Sequence, residues 1–480
     1  DAGTDAADAL IELLRSADRR GLPAAAYAPA ALAARLDGEP APAARAQLEL
    51  DLARRYLDYA GDVGQGRLDP AQAAQGWLIE RRRFDPAQAL ASLAAEGVEE
   101  TIETLEPERD EYDALLEARR QLAEQVAEGG WRPVRIDGAL RPGDRHDAVP
   151  ALRARLAASG DLPARDEEPV PADGPAASAS PLYDPHTVAA VKRFQHRHGL
   201  EVDGIVGDAV RAALNVPAEQ RLQQIDWNLE RLRWLPREPG RRYVMVNLAG
   251  FRLQAFDADG ERALQMPVIV GKAQHATPAF ADSIEYLRLN PYWNVPESIV
   301  VNEIAPKQRE NPNYLREKNM EIVAGGGATI DPASLDWARY ASGADFPHRL
   351  RQRPGPQNAL GRIKFMFPNR HAIYLHDTPA DHLFDEAQRT FSHGCIRVEK
   401  PLALADWLLA GSPDWDGERV RDAIDAGDRS RIELPEPVPV YLYYLTAWVD
   451  EGSGRLHFRE DIYDRDRELA ALLQTARAAP

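Results

Sequence analysis

The spacing of the apolar residues changes near Arg241, and this change constrains the fold more than any other feature. Before it, apolar residues recur at helical spacing, as in residues 5–21, which end at Gly21 where a C-cap belongs. After it, apolar and polar residues alternate, as in residues 243–248. Helical and strand-like periods in separate blocks predict a multidomain α+β protein.

The length of 480 residues is enough for about three domains. We predict a helical scaffold domain over 1–137 and a small three-helix domain over 138–216. The latter is interrupted by a Pro/Ala/Ser/Asp-rich loop insertion at 163–180. A β-rich domain follows over 217–480. Within it, residues 297–360 lose strand character, and we interpret them as an insertion over the sheet.

The net charge of −18 argues against binding of nucleic acid or an anionic membrane, because either partner requires a basic face. The sequence also lacks the roughly 20-residue apolar run of a membrane span. It begins at Asp1 without a methionine, so the lack of a visible leader says nothing about the compartment.

The chain has a single cysteine, Cys395, which follows Ser392, His393 and Gly394. A second histidine, His376, stands 19 residues earlier, at the expected end of a buried strand. A thiol attacks as the thiolate and needs a nearby base or cation. Gly394 permits a backbone conformation in which N–H groups point inward, as an oxyanion hole for acyl transfer requires.

From the residues alone, three interpretations of this group stay open. Cys395 can be an ordinary core residue with unrelated histidines, since free cysteine is often buried. It can be a catalytic nucleophile with a histidine base. It can also belong to a zinc site, although the spacing matches no usual finger. The candidate zinc ligands are His371, His376, His382, His393 and Cys395.

Residues 140–216 resemble the peptidoglycan-binding family of three-helix modules. The residues that carry the resemblance are LRPGD, ALRARL and VKRFQHRHGLEVDGIVGDAV. A small helical spacer is the alternative. His196 and His198 could suggest a metal pair, but such a pair beside a helix end usually faces solvent.

The segments HDTP and SHGCIRV, with their spacing, resemble the catalytic family of L,D-transpeptidases, the YkuD family. The order of the domains resembles its large periplasmic YcbB-like branch. The resemblance implies a mixed, β-sandwich-like sheet with a lid insertion, and a periplasmic location. It implies peptidoglycan stem peptides as the partner, with no metal or organic cofactor; further protein partners are unknown.

The resemblance also implies roles for single residues. Cys395 is the nucleophile and His376 the general base, oriented partly by the main-chain carbonyl of Asp377. The N–H groups of Gly394 and Cys395 are the expected oxyanion donors. His393 stabilises the thiolate or the oxyanion and is the rival base.

Four further residues are expected to contact substrate: Arg397, Ser392, Tyr374 and Trp293. A guanidinium at Arg397 can bind a carboxylate through two hydrogen bonds. For Tyr374 and Trp293, core packing is an equal alternative. The insertion 297–360 is expected to act as a lid that excludes water from the acyl-enzyme.

The implied activity is formation of 3→3 peptidoglycan cross-links, which makes the protein a cell-shape enzyme and a carbapenem target. A cysteine thioester forms on a tetrapeptide donor stem, with release of D-alanine. The same acyl-enzyme with water as acceptor would make an L,D-carboxypeptidase, and with a lipoprotein lysine an anchoring enzyme. A non-catalytic cell-wall-binding protein is the alternative from another class.

Overall fold

The computed structural model describes residues 5–38, 41–73, 76–163 and 179–478. The chain divides into two compact units. One comprises Asp1–Glu238 with Tyr443–Pro480, and the other Pro239–Leu442.

The first unit begins with a helical region that has its own core of buried aliphatic and tyrosine side chains, among them Leu14, Tyr56 and Tyr59. Helix starts follow local chemistry: Asp85 accepts hydrogen bonds from two N–H groups of the helix that opens at Pro86. The helices of this region are α1 (Asp5–Arg15), α2 (Pro29–Asp37), α3 (Pro42–Gln65), α4 (Pro70–Ala73), α5 (Pro86–Glu96), α6 (Val98–Leu105) and α7 (Asp110–Ala127).

Three helices follow around a separate core that contains Tyr183 and Phe194. They are α8 (Val149–Ala158), α9 (Pro185–Arg197) and α10 (Asp208–Leu214). This confirms the predicted three-helix module. The predicted loop insertion 163–180 lies, apart from residues 163, 179 and 180, outside the described residues.

The long helix α11 (Ala218–Arg233) contacts the C-terminal part of the chain, which returns to this unit. The side chain of Asn228 donates to Thr446, and Arg231 forms a buried ion pair with Asp466 at 2.5 Å. The returning elements are β14 (Ala447–Asp450), β15 (Arg455–Phe458) and α18 (Arg465–Ala478). The domain bounds 1–137, 138–216 and 217–480 stay a prediction.

The second unit is built on a mixed sheet that contains nine of the described strands. They are β1 (Tyr243–Asn247), β2 (Arg252–Phe256), β3 (Arg262–Gly271), β4 (Phe280–Leu289), β9 (Ile363–Met366), β10 (Leu375–His376), β11 (Thr390–Ser392), β12 (Ile396–Val398) and β13 (Arg431–Tyr443). The strand order is β11-β3-β12-β10-β9-β4-β13-β1-β2, and β2 also pairs with β3, so the sheet closes on itself. The predicted α+β class with a mixed catalytic sheet is confirmed.

The insertion 297–360 folds around its own core, which includes Ile304, Trp337 and Leu350. The expectation that it loses strand character is wrong. With Trp293–Asn294 it forms a four-stranded sheet, two of whose strands have only two residues and are too short to show alternation. The strands of this sheet are β5 (Trp293–Asn294), β6 (Met320–Val323), β7 (Thr329–Ile330) and β8 (Arg349–Gln352). The helices of the insertion are α12 (Glu297–Ile299), α13 (Ala305–Glu310), α14 (Tyr314–Glu317) and α15 (Trp337–Ala341), with a π-helical turn at Val300–Ile304.

Two further helices, α16 (Pro401–Leu408) and α17 (Gly417–Asp425), follow β12. Pro401 at the first helical position supplies a fixed φ where no N–H bond is needed. Within the described ranges, none of the helices combines the length and the apolar content needed to cross a membrane.

Candidate active site

His376 lies in a strand at the middle of the closed sheet. Strand β10 pairs in parallel with β12 and antiparallel with β9. Leu375 points into the core and is fully buried, so its neighbour His376 points to the opposite face. On that face His376 stands level with Lys364 on one side and Arg397 on the other.

The tautomer of His376 follows from one contact. Its Nδ1 lies 2.5 Å from the main-chain oxygen of Asp377. A carbonyl only accepts, so Nδ1 carries the proton and Nε2 is free to accept another. The Asp377 carboxylate is occupied elsewhere, with the N–H of Arg362 at 2.6 Å and that of Thr378 at 2.7 Å.

The electrostatics around His376 favour the neutral imidazole. Burial, together with the positive charges of Arg397 and Lys364, lowers its pKa to about 3 against the opposing effect of the Asp377 carbonyl. His376 is therefore uncharged at neutral pH.

Cys395 lies one residue before β12, on the same face as His376. Because Ile396 is level with Leu375, Cys395 is level with Tyr374, the residue two positions before His376. The Cys395 sulfur lies 3.6 Å from the Ala372 carbonyl oxygen, and it accepts hydrogen bonds from the main chain and side chain of Tyr374.

Two opposing effects act on the Cys395 thiol. Burial raises its pKa, and this effect dominates. The hydrogen bonds from Tyr374 and the charges of Lys364 and Arg397 act against burial, because they favour the thiolate. The thiol is therefore protonated at neutral pH, with groups that stabilise its anion beside it.

The loop before Cys395 is closed by the Ser392 hydroxyl, which donates to the Cys395 carbonyl at 2.5 Å and accepts from the Gly394 N–H at 3.0 Å. The hydroxyl is therefore buried inside the loop. Gly394 has φ of +114°, a conformation that disfavours a side chain. Of the two expected oxyanion donors, the Gly394 N–H is thus occupied, whereas that of Cys395 has no partner among the described residues.

His393 is directed towards the insertion. Its Nε2 lies 2.5 Å from Oε1 of Glu303, in the π-helical turn Val300–Ile304. Its ring also lies 5.0 Å from that of His275. His393 therefore links the cysteine loop to the insertion.

The remaining two residues expected near substrate differ in their surroundings. Arg397 is half-buried, and its Nε has no hydrogen-bond partner among the described residues. Trp293 pairs with Gln352 in the insertion's sheet and packs on the insertion's core. The structure thus brings Arg397, Tyr374, His376 and Cys395 together, and places Trp293 in the neighbouring core.

Two site residues are absent from the sequence prediction. Lys364 lies opposite His376, with its Nζ 3.5 Å from the centre of the Tyr374 ring. Alternation in residues 362–366 puts Lys364 on the polar face, but the register with β10 cannot be read from sequence. Glu303 carried no signal, because its contact with His393 joins residues 90 positions apart.

The five candidate zinc ligands do not form a metal site among the described residues. Within the described part of the chain, no group of three or more His, Cys, Asp or Glu side chains is arranged to hold a metal ion.

Three families of domains match this chain. Residues 241–420 match the YkuD family, described as L,D-transpeptidase catalytic domain. Residues 1–118 match a family described as scaffold domain. Residues 145–214 match a family described as "Putative peptidoglycan binding domain".

Two curated relatives are similar over part of their length. A Haemophilus influenzae protein named "Putative L,D-transpeptidase" is 36% identical over 247 residues, which are 52% of this chain and 49% of that protein. The N-acetylmuramoyl-L-alanine amidase CwlM of Mycobacterium tuberculosis is 45% identical over 83 residues, which are 17% of this chain and 20% of that protein. The chain thus spans about half or less of the curated relatives it matches.

Among solved structures, an L,D-transpeptidase from Stackebrandtia nassauensis is similar at 14% identity and a TM-score of 0.23, over 65% of this chain and 96% of that chain. A TM-score this low does not establish a common overall fold. The domain matches and the Haemophilus influenzae relative agree with each other. This chain therefore carries a YkuD L,D-transpeptidase catalytic domain and a peptidoglycan-binding domain.

Proposed function

We propose that this chain is a cysteine L,D-transpeptidase that forms 3→3 cross-links in peptidoglycan. The observation that carries the proposal is the lone thiol of Cys395, held by Tyr374 beside a histidine of fixed tautomer on the neighbouring strand. A thiol, a neutral base with a free nitrogen and main-chain donors are the groups that acyl transfer through a thioester needs.

In the first half-reaction, the Cys395 sulfur attacks the carbonyl carbon of diaminopimelate in a tetrapeptide stem, and its proton passes to Nε2 of His376. The bond to D-alanine breaks, and that proton moves to the departing amine. In the second, the side-chain amine of another stem attacks the thioester carbon. Its proton passes through His376 to the departing sulfur, which returns the free thiol.

His376 is the base in this scheme rather than His393. The Nδ1 of His376 is fixed by the Asp377 carbonyl, which leaves Nε2 for the thiol proton. The Nε2 of His393 is bound to Glu303 instead. The fixed tautomer of His376 and the engaged nitrogen of His393 both support this assignment.

The other predicted site residues have distinct proposed roles. The Tyr374 hydroxyl stabilises the thiolate, and Arg397, with its unpartnered Nε, binds a stem carboxylate. The Cys395 N–H faces the developing oxyanion, whereas Ser392 and Gly394 maintain the loop that orients it. Trp293 supports the insertion 297–360, which we propose as a lid that favours the amine over water.

Purified cell wall incubated with the full chain, then digested, tests the reaction by mass analysis of the muropeptide dimers. We expect new 3→3 dimers and free D-alanine, both lost in Cys395→Ala and retained in His382→Gln, which changes a histidine outside the site. Tripeptide monomers without dimers would identify an L,D-carboxypeptidase. Sedimentation with the wall without any change in muropeptides would identify a binding protein.

The proposal also implies a compartment and an inhibitor class. Because peptidoglycan lies outside the cytoplasmic membrane, we place the enzyme in the periplasm. A carbapenem should acylate Cys395, which would appear as an increase in the intact mass of the protein. An equal increase in Cys395→Ala would reject the nucleophile.

A further inference from the structure

A row of basic residues crosses the sheet at the level of His376. Arg397 is level with His376, His376 with Lys364, and Lys364 with Arg288, on four successive strands. Residues level with each other on paired strands share one face. We call Arg397, Lys364 and Arg288 the cationic row; adjacent strands lie about 4.8 Å apart, so the row spans roughly 14 Å.

None of these three cations has a carboxylate partner among the described residues. The Nε of Arg397 is buried without a hydrogen bond. The Nζ of Lys364 lies 3.5 Å from the centre of the Tyr374 ring, and the guanidinium of the exposed Arg288 lies 5.7 Å from the centre of the Tyr286 ring.

The next arginine on the same level shows the contrast. Arg431 stands level with Arg288 on β13, but its guanidinium is paired with the carboxylate of Glu433. Arg431, the basic residue farthest from Cys395, therefore has a counter-charge within the chain. The three residues of the cationic row have none among the described carboxylates.

Unpaired like charges this close are unfavourable unless something compensates them. Burial and the charge of Arg288 lower the pKa of Lys364 to about 8, against the opposing attraction of Cys395. The chain as a whole carries a net charge of −18, so cations without carboxylate partners are a local arrangement. Such an arrangement is suited to an anionic ligand that supplies the missing charge.

We propose that the cationic row is a binding track for the carboxylates of a stem peptide, which lies across the strands with its scissile carbonyl at Cys395. The identity of the ligand rests on the proposed function. Diaminopimelate and the terminal D-alanine each carry a carboxylate. An extended peptide advances about 3.3–3.6 Å per residue, so four residues match the length of the row.

Arg397 alone is expected to bind one carboxylate. The cationic row adds two further binding residues, Lys364 and Arg288, on the other side of His376. Carboxylates bound there would also offset the two charges that disfavour protonation of His376. Substrate binding would thereby make His376 a better base in the complex than in the free protein.

Cys395 is the only cysteine, so alkylation reports the potential at this site alone. The ratio of the iodoacetate rate to the iodoacetamide rate cancels changes in the thiolate fraction, because both reagents attack the same thiolate. We expect a ratio above that of free cysteine at low salt. Arg288→Gln and Lys364→Gln should each lower it by about twofold to fivefold.

The matched control is Arg421→Gln, which removes an exposed arginine from α17 and should leave the ratio at the wild-type value. A ratio unchanged in Arg288→Gln would overturn the row as an anion site. This result is independent of whether the chain acts on peptidoglycan.

Release of D-alanine from a disaccharide-tetrapeptide then tests the ligand. Arg288→Gln should raise KM about fivefold with kcat preserved, because Arg288 lies two strands from His376. Amidation of the D-alanine carboxylate or of the diaminopimelate side-chain carboxylate should abolish that difference. If wild type releases no D-alanine, the proposed function fails; if it does and KM is unchanged in Arg288→Gln, only the row fails.

Discussion

Gly361 lies against Asp377, whose carbonyl fixes the proposed base His376, and replacement of Gly361 by alanine tests that dependence. Gly361 has φ of +60°, and a Cβ built on it would lie 2.3 Å from both Cγ and Oδ2 of Asp377. No side chain fits at that distance without movement of Asp377. The Asp377 carbonyl that fixes His376 would move with it.

The free-energy cost of Gly361→Ala has two parts. A left-handed conformation with a Cβ costs about 1 kcal/mol. Disruption of the Asp377 carboxylate's hydrogen bond to the Arg362 N–H adds about 2 kcal/mol. We therefore expect Gly361→Ala to destabilise the catalytic unit by about 3 kcal/mol. Misplacement of His376 should slow carbapenem acylation roughly 100-fold.

Gly427→Ala is the matched control, because Gly427 has φ of +75° and a Cβ added to it would have nothing within 4 Å. It should cost only the conformational part, about 1 kcal/mol. The stabilities are measured by urea unfolding of the full chain, with the loss of carbapenem acylation as the readout. Acylation rates measured without urea give the effect on the chemistry. Equal stability and equal acylation rates in the two variants would refute the reasoning.

Three further predictions concern the loop, the insertion and the thiol. Ser392→Ala should destabilise the unit by about 1–3 kcal/mol and slow acylation while leaving the thiol alkylatable, as read by urea unfolding and mass analysis. Glu303→Gln should raise the ratio of thioester hydrolysis to cross-linking, whereas Glu310→Gln on the same helical segment should not; equal ratios would reject the lid contact. The pH at which alkylation of Cys395 is half-maximal should lie above that of free cysteine, because burial raises the pKa of the thiol. Tyr374→Phe should raise this pH further, because it removes a hydrogen-bond donor to the sulfur. An unchanged midpoint in Tyr374→Phe would contradict that hydrogen bond.

The change of period near Arg241 predicted the α+β class, because periodicity is a local property that any window of sequence displays. The start of α9 is likewise set by local chemistry, since Asp184 caps the helix and Pro185 opens it. The strands of the insertion escaped prediction because β5 and β7 have two residues each, fewer than one full alternation.

Cys395 and His376 could be selected as candidates from residue type and motif. Their surroundings could not, because these depend on which strands pair and in what register. The level arrangement of Arg397, His376 and Lys364 is set by hydrogen bonds between three strands, and a shift of one residue would put them on opposite faces.

The central claim is that Cys395 carries the donor stem as a thioester. Intact-mass analysis after brief mixing with a disaccharide-tetrapeptide tests this most directly, since the chain offers one sulfur nucleophile of this type. We predict an adduct equal to the donor minus D-alanine, located on Cys395 and removed by hydroxylamine. D-alanine release by Cys395→Ala at the wild-type rate, or an adduct on another residue, would contradict the account.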